Sequence, residues 1–183
     1  MPRDALERWI AMLLVGGVLM LTALTFVANS QFQRYQTTVD LATKSRVAIE
    51  AIQDVTRALV DAETGQRGYL LTSQRQYLEP YLSGEAAARK SLITLRQLLD
   101  DDATALSSVE KIESLAVLKL EVLATTIALH SDESPAAALA VVQRNGGKRL
   151  MDEVRKLGAQ LIVAQQARLS VRASQAELAS KVA

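Results

Sequence analysis

Residues 61–81 read DAETGQRGYLLTSQRQYLEPY, and the arrangement of the rest of the chain follows from them. Two glycines (Gly65 and Gly68), three of the four tyrosines (Tyr69, Tyr77 and Tyr81) and Pro80 fall in this run, inside a sequence that is otherwise repetitive and helical. A glycine within a helix costs up to about 1 kcal/mol. Gly65 and Gly68 therefore point to close approach by a neighbouring helix, or to a local bend. Upstream, Ile49, Ile52, Thr56, Leu59, Glu63, Gln66 and Leu70 follow alternating steps of three and four, a heptad seam. Glu63 and Gln66 stand where apolar residues belong. A buried carboxylate needs a partner or a changed pKa. Arg155 or Lys148 of the last helix is one source of a partner; exposure of Glu63 through a bend at Gly65 is the other reading.

Ser73 and Gln76 have the spacing of a capping box. The helix they open runs through Tyr77, Leu78, Tyr81, Leu82, Leu92 and Leu95 to Leu98 or Leu99. Pro80 falls late for a tolerated proline, so a start near Glu79 after a looser turn is the alternative. Tyr77 and Tyr81 share a face if the segment is helical. Asp100-Asp101-Asp102 reads as a turn and an N-cap, since carboxylates suit the positive end of a helix. The triplet lacks the alternating ligands and glycine of a calcium loop. A third helix is expected over about residues 103–130, with Val109, Ile112, Ala116, Leu120, Leu123 and Ile127 along its seam. The single histidine, His130, falls at its end. Ser134-Pro135 is an N-cap followed by a first-turn proline, opening a short helix to about Gln143. Asn145-Gly146-Gly147 breaks it. The last helix, from about Lys148, carries Leu150, Val154, Leu157, Leu161 and Ala164 as its inner stripe. From Gln165 onward it is more polar and reads as a stalk or frayed end.

At the other end, residues 9–28 read WIAMLLVGGVLMLTALTFVA and hold no charge, over about the 20 residues a helix needs to cross the hydrocarbon core. Trp9 at one end, and Phe26, Phe32 and Tyr35 at the other, are placed as interface anchors. A cleaved signal peptide has a shorter apolar core and an A-x-A site, so an uncleaved anchor is expected. Charge does not set its orientation: Arg3 and Arg8 precede it, and Arg34, Lys44 and Arg46 follow it. Gly16 and Gly17 have no small residue four positions away, so no glycine-mediated helix contact is expected there.

The fold class that follows is all-α: an N-terminal transmembrane helix, then an up-down-up-down four-helix bundle with long first and last helices. The expected divisions are residues 1–8, a cytoplasmic N-terminus; 9–28, the membrane helix; and 29–183, the bundle. Aromatic residues make up 4% of the 183, which favours aliphatic helix packing over a sheet sandwich. A net charge of +1 implies no nucleic-acid partner. With no cysteine, one histidine, and no phosphate loop or nucleophile–base pairing, the chain is expected to be no enzyme and to take no cofactor or metal.

Ala62-Glu63-Thr64-Gly65, Arg67-Gly68-Tyr69-Leu70-Leu71-Thr72, Tyr77-Leu78 and Pro80-Tyr81 together resemble the signature of the CHASE family, third type. A second, weaker match is Gly147-Lys148 with Leu150-Met151-Asp152 and Arg155. The resemblance spans roughly residues 32–172. It departs where the family often has a glutamate before a closing Leu-Leu pattern, because Gln165-Gln166 stand near that place. The resemblance implies an extracytoplasmic sensor domain of a bacterial histidine kinase, cyclase or chemoreceptor, with its amino terminus in the cytoplasm and its bundle outside the inner membrane. It also implies a second membrane helix and an output domain beyond Ala183, so the chain is expected to be a fragment of a longer receptor, a one-span membrane protein being the alternative. The implied partners are membrane lipid, a second copy of the chain, and an unidentified extracytoplasmic ligand or protein. The candidate signalling residues are Glu63, Arg67, Tyr69, Tyr77 and Tyr81. A rival reading of the same residues is a structural helix–turn–helix corner. A rival function is a membrane-tethered scaffold that does not switch.

Overall fold

The charge-free N-terminal run and the heptad seam after it form one uninterrupted helix, α1 (Arg3–Thr72), of 70 residues. At 1.5 Å per residue it is roughly 105 Å long. The structure, a computed structural model, describes the backbone of residues 3–132 and 134–182. Side chains are described for residues 9, 12–30, 32–33, 36, 41–132, 134–171 and 173–174. The expected anchor Tyr35 and the flanking Arg3, Arg8 and Arg34 lie outside the described side chains. Within α1, Met12–Ser30 is long and apolar enough to cross a membrane. Side chains 12–29 are exposed, and no neighbouring atom approaches Gly16 or Gly17 within 4 Å.

After α1 the chain reverses through a short 3-10 turn (Arg75–Leu78) into α2 (Glu79–Leu98). Then follow α3 (Ala103–Asp132), the short α4 (Pro135–Gln143) and α5 (Gly146–Val182), with no strand among the described residues. Glu63 meets Lys119, Gln66 meets Thr126 and Ser73 meets His130, so α1 and α3 run parallel. Lys119 meets Gly147 while Asp102 meets Arg168, so α5 runs back down alongside α3. The result is the up-down-up-down bundle, with α4 as an extra piece before the last rod. Its core joins Ile52, Val55 and Leu59 of α1 to Leu92 and Leu95 of α2, Val109, Ile112 and Leu123 of α3, and Met151, Val154 and Leu161 of α5.

Several local expectations are met by geometry. The Ser134 hydroxyl accepts a hydrogen bond from the Ala137 amide at 3.1 Å, capping α4 ahead of Pro135. Asn145 takes φ 56°, the left-handed conformation that asparagine tolerates best among non-glycine residues, and the helix breaks there. Asp102 Oδ1 accepts from the Thr104 and Ala105 amides at 3.1 and 3.2 Å and caps α3. Its other oxygen pairs with Arg168 of α5, while Asp101 pairs with Lys44 of α1 at 3.5 Å. The triplet is thus both a cap and a tie between the two long helices at the lower end of the bundle.

Other expectations need correction. Ser73 caps nothing. It ends α1 in the left-handed conformation (φ 57°), with its amide bonded to the Tyr69 carbonyl at 2.8 Å. Pro80 explains why: without an N–H it is tolerated only in a first turn, so α2 starts at Glu79 and residues 75–78 tighten into the 3-10 turn. Leu82 is 62% exposed, because α2 turns Tyr81, Gly84 and Ala88 inward instead. On α5 the inner stripe is Met151, Val154, Gly158, Leu161 and Gln165, with Ala164 exposed. Gly158 sets this phase, because a Cβ there would lie 3.1 Å from Ile52 Cγ2 of α1.

Burial opposes ionisation of Asp102, but the Ala105 amide, Arg168 and the Thr104 amide outweigh it and hold the carboxyl below its ordinary range. A lowered folded-state pKa gives stability that is present above the unfolded value and is lost as pH falls through the folded one. Asp102→Asn keeps a capping oxygen but no charge. Its stability is expected to be lower than wild type at neutral pH and to fall less on acidification. Urea melts at pH 7 and pH 3 check this; parallel losses in the two proteins would refute it.

Candidate functional site: a polar seam between the first and third helices

The heptad seam of α1 carries Glu63 and Gln66 toward α3, and α3 answers with polar residues of its own. Glu63 Oε2 accepts from Lys119 Nζ at 2.7 Å, and Lys119 is 1% exposed. Glu63 Oε1 accepts from Arg67, one turn further along α1, at 2.6 Å. Lys119 Nζ also donates to the Gly147 carbonyl at the start of α5, at 3.1 Å. One turn higher, buried Gln66 Nε2 donates to Thr126 Oγ1 at 2.8 Å, and Thr126 donates onward to the Val122 carbonyl at 2.6 Å. At the top, Tyr69 is buried edge-on against His130, with ring centroids 5.1 Å apart and planes at 68°. His130 Nε2 is hydrogen-bonded to Ser73 Oγ at 2.9 Å. Three polar layers thus join α1 to α3 over the distal part of the bundle.

The partner of Glu63 is therefore Lys119. The alternatives from the last helix are both occupied elsewhere: Lys148 pairs with Asp152 at 2.7 Å, and Arg155 approaches the same carboxylate at 3.8 Å. Three-dimensional position decides this, since the parallel α3 faces the Glu63 edge of α1 and α5 brings only its Gly147 carbonyl there.

The remaining candidates form the other side of α1. A Cβ at Gly65 would lie 2.5 Å from the Tyr81 amide nitrogen, and one at Gly68 would lie 2.9 Å from the Tyr77 ring. The two glycines thus mark close approach by the returning chain. Tyr77 is 42% exposed at the turn and Tyr81 is buried. The five sequence candidates divide into two sets. Glu63, Arg67 and Tyr69 belong to the polar seam with α3, whereas Tyr77 and Tyr81 belong to the glycine contact with α2. Lys119, Thr126 and Gly84 were not singled out from sequence. Gly84 matters as much as Gly65: a Cβ there would lie 2.5 Å from the Ala58 carbonyl oxygen and 2.8 Å from the Ala62 nitrogen.

Burial, then the carboxylate of Glu85, raise the Tyr81 hydroxyl above its ordinary value, against a smaller lowering by Arg89. A raised folded-state pKa means stability is complete below the unfolded phenol value and is lost as pH rises through the folded one. Tyr81→Phe is expected to lose less stability than wild type on moving from pH 9 to pH 11. Equal losses in denaturant melts at the two pH values would refute this. Among the described residues no group of three or more His, Cys, Asp or Glu is placed to hold a metal ion.

A family model described as the CHASE3 domain matches residues 38–175. No curated protein matches the chain. Among solved structures, the chain is similar to the crystal structure of the Rhodopseudomonas palustris histidine kinase HK9 sensor domain. The identity is 27% and the TM-score 0.63, covering 67% of this chain and 95% of that one.

Proposed function

The chain belongs to the CHASE3 family and contains a helical sensor domain, and from that premise we propose that it is the extracytoplasmic signal-input part of a bacterial membrane receptor. In this reading residues 1–8 lie in the cytoplasm, residues 9–28 cross the inner membrane and residues 29–183 form the sensing bundle outside. A ligand or partner protein acting near the Glu63 corner shifts α1 against α5, and the shift passes to an output domain such as a histidine kinase. The module itself does no chemistry, and the receptor works as a homodimer.

The observation that carries this reading is the continuity of α1. One unbroken helix runs from the apolar Met12–Ser30 span to Glu63, Gln66 and Tyr69. A helix has a few discrete ways to move against packed neighbours, and such shifts are a common form of switching. The stimulus must interact differently with the two arrangements for any signal to pass. A static scaffold has no need of three polar layers in its seam, since apolar packing of the same shape is as stable or more so.

The test is substitution of Glu63→Gln and Arg67→Ala in the full receptor, with output activity as the readout. Altered basal or stimulated output is expected from at least Glu63→Gln. Wild-type signalling from both folded variants would remove this corner from the mechanism.

A further inference from the structure

We infer that the bundle switches as two rigid hairpins, α1 with α2 and α3 with α5, which move against each other along a plane latched by Glu63 and Lys119. The inference deepens the sensor reading and rests on it for its purpose, but its physical basis is separate.

The first hairpin is interlocked through its backbones. At Gly65 and at Gly84 a Cβ would fall 2.5 Å from a main-chain atom of the facing segment. Ala58, Ala62 and Ala88 fill the rest of that seam, each 5% exposed or less. Backbones this close have no slack. Sliding α1 by one residue along α2 brings a Cβ-bearing residue to where only a glycine fits. The second hairpin is tied at both ends by charge: Lys119 to the Gly147 carbonyl at the top, and Arg168 to Asp102 at the bottom.

The contacts between the two hairpins are of another kind. Exposed ion pairs cross the plane, Arg96 of α2 with Glu110 and Glu113 of α3 at 2.7 and 3.1 Å and Lys44 of α1 with Asp101 at 3.5 Å, but exposed pairs are worth little and re-form readily. Where α1 faces α5, Ile52 packs against Gly158, an apolar contact. Where α1 faces α3, the links are Glu63–Lys119, Gln66–Thr126 and Ser73–His130. The Glu63–Lys119 link is divided so that each member keeps one hydrogen-bond partner on its own side when it opens. Glu63 keeps Arg67, which is on its own hairpin. Lys119 keeps the Gly147 carbonyl, which is on the other. Thr126 likewise keeps the Val122 carbonyl of its own helix. Breaking a buried pair is costly because it leaves a bare charge. Here each member retains a hydrogen-bond partner on its own side, and an opened plane admits water to the Lys119 ammonium, which a closed bundle lacking Glu63 would not.

The chain has no cysteine, so spin labels go only where cysteines are introduced. Three labelled pairs read the three relations. Asp54 with Lys90 spans α1 and α2. Lys111 with Glu153 spans α3 and α5. Gln53 with Ala159 spans the plane between the hairpins. Dipolar distances are measured on the full chain in lipid nanodiscs, with and without Lys119→Met. The expected result is a shift or broadening of the Gln53–Ala159 distance by roughly 1–2 Å or more, the scale of helix shifts at packed interfaces. The other two pairs should keep their wild-type distances. If the Asp54–Lys90 distance moves together with Gln53–Ala159, α1 slides alone and the inference is overturned. Unchanged distances in all three pairs overturn it as well. Should Lys119→Met not fold, Gln66→Leu with Thr126→Val removes the second link and is read the same way. These distances need no output domain, so their failure leaves the sensor reading standing, and that reading fails only on the output measurement.

Discussion

Glu63→Ala is expected to destabilise the bundle by about 3–5 kcal/mol, the cost of leaving one member of a buried ion pair behind. The group left behind is Lys119, 1% exposed, with only the Gly147 carbonyl to receive its charge. The reverse substitution is far milder. Lys119→Met keeps an unbranched chain of similar length in the core. The Glu63 that remains is 18% exposed and still paired with Arg67. Lys119→Met is therefore expected to lie within about 1 kcal/mol of wild type, because the partly exposed Glu63 keeps Arg67 and no uncompensated buried charge is left. Urea denaturation followed by helical circular dichroism distinguishes the two. Equal losses for both variants would mean that the pair is more hydrated than its burial indicates.

The second large effect is at Gly84. Alanine there gains up to about 1 kcal/mol of helix propensity, which by itself predicts stabilisation. The added Cβ, however, would sit 2.5 Å from the Ala58 carbonyl oxygen and 2.8 Å from the Ala62 nitrogen, both backbone atoms. Backbone cannot rotate out of the way as a side chain can, so α1 and α2 must separate. Overpacking costs typically 1–3 kcal/mol, and Gly84→Ala is expected to end about 1–2 kcal/mol less stable than wild type. Gly146→Ala is the control, since no atom lies within 4 Å of its Cβ position. It should be neutral or slightly stabilising. A neutral Gly84→Ala would show that the α1–α2 seam has slack.

Much of this is readable from the chain itself, and what is not depends on the element that faces each residue. Helix starts and stops are local chemistry, so Ser134-Pro135, Asn145 and the Asp102 cap were found where the structure has them. Gly65 and Gly68 in a helix point to close approach or to a bend, and the structure has the close approach. The partner of Glu63 is hidden when only the apolar residues of the third helix are considered. Carried strictly in steps of three and four from Val109, the seam passes Ile112, Ala116, Lys119, Leu123, Thr126 and His130. It meets polar residues at the level where the α1 seam reaches Glu63 and Gln66. Choosing Leu120 and Ile127 instead preserved hydrophobicity and lost the register. Gly84 escaped notice because it stands alone in α2, and its meaning depends on the backbone opposite. On the last helix the apolar pattern points to Ala164 as an inner position, but Gly158 fits against Ile52 and turns Gln165 inward.

The unbroken run of α1 has a consequence for rotational phase. Along a helix each residue advances the side chains by about 100°, so the azimuth at Glu63 is geared to the azimuth inside the apolar span. Lengthening the shaft by one residue between them turns one end by about 100° relative to the other, whereas seven added residues bring it back to within about 20°. Any torque felt at the distal tip would arrive with a definite handedness, and insertions of graded length would read it out as a periodic response.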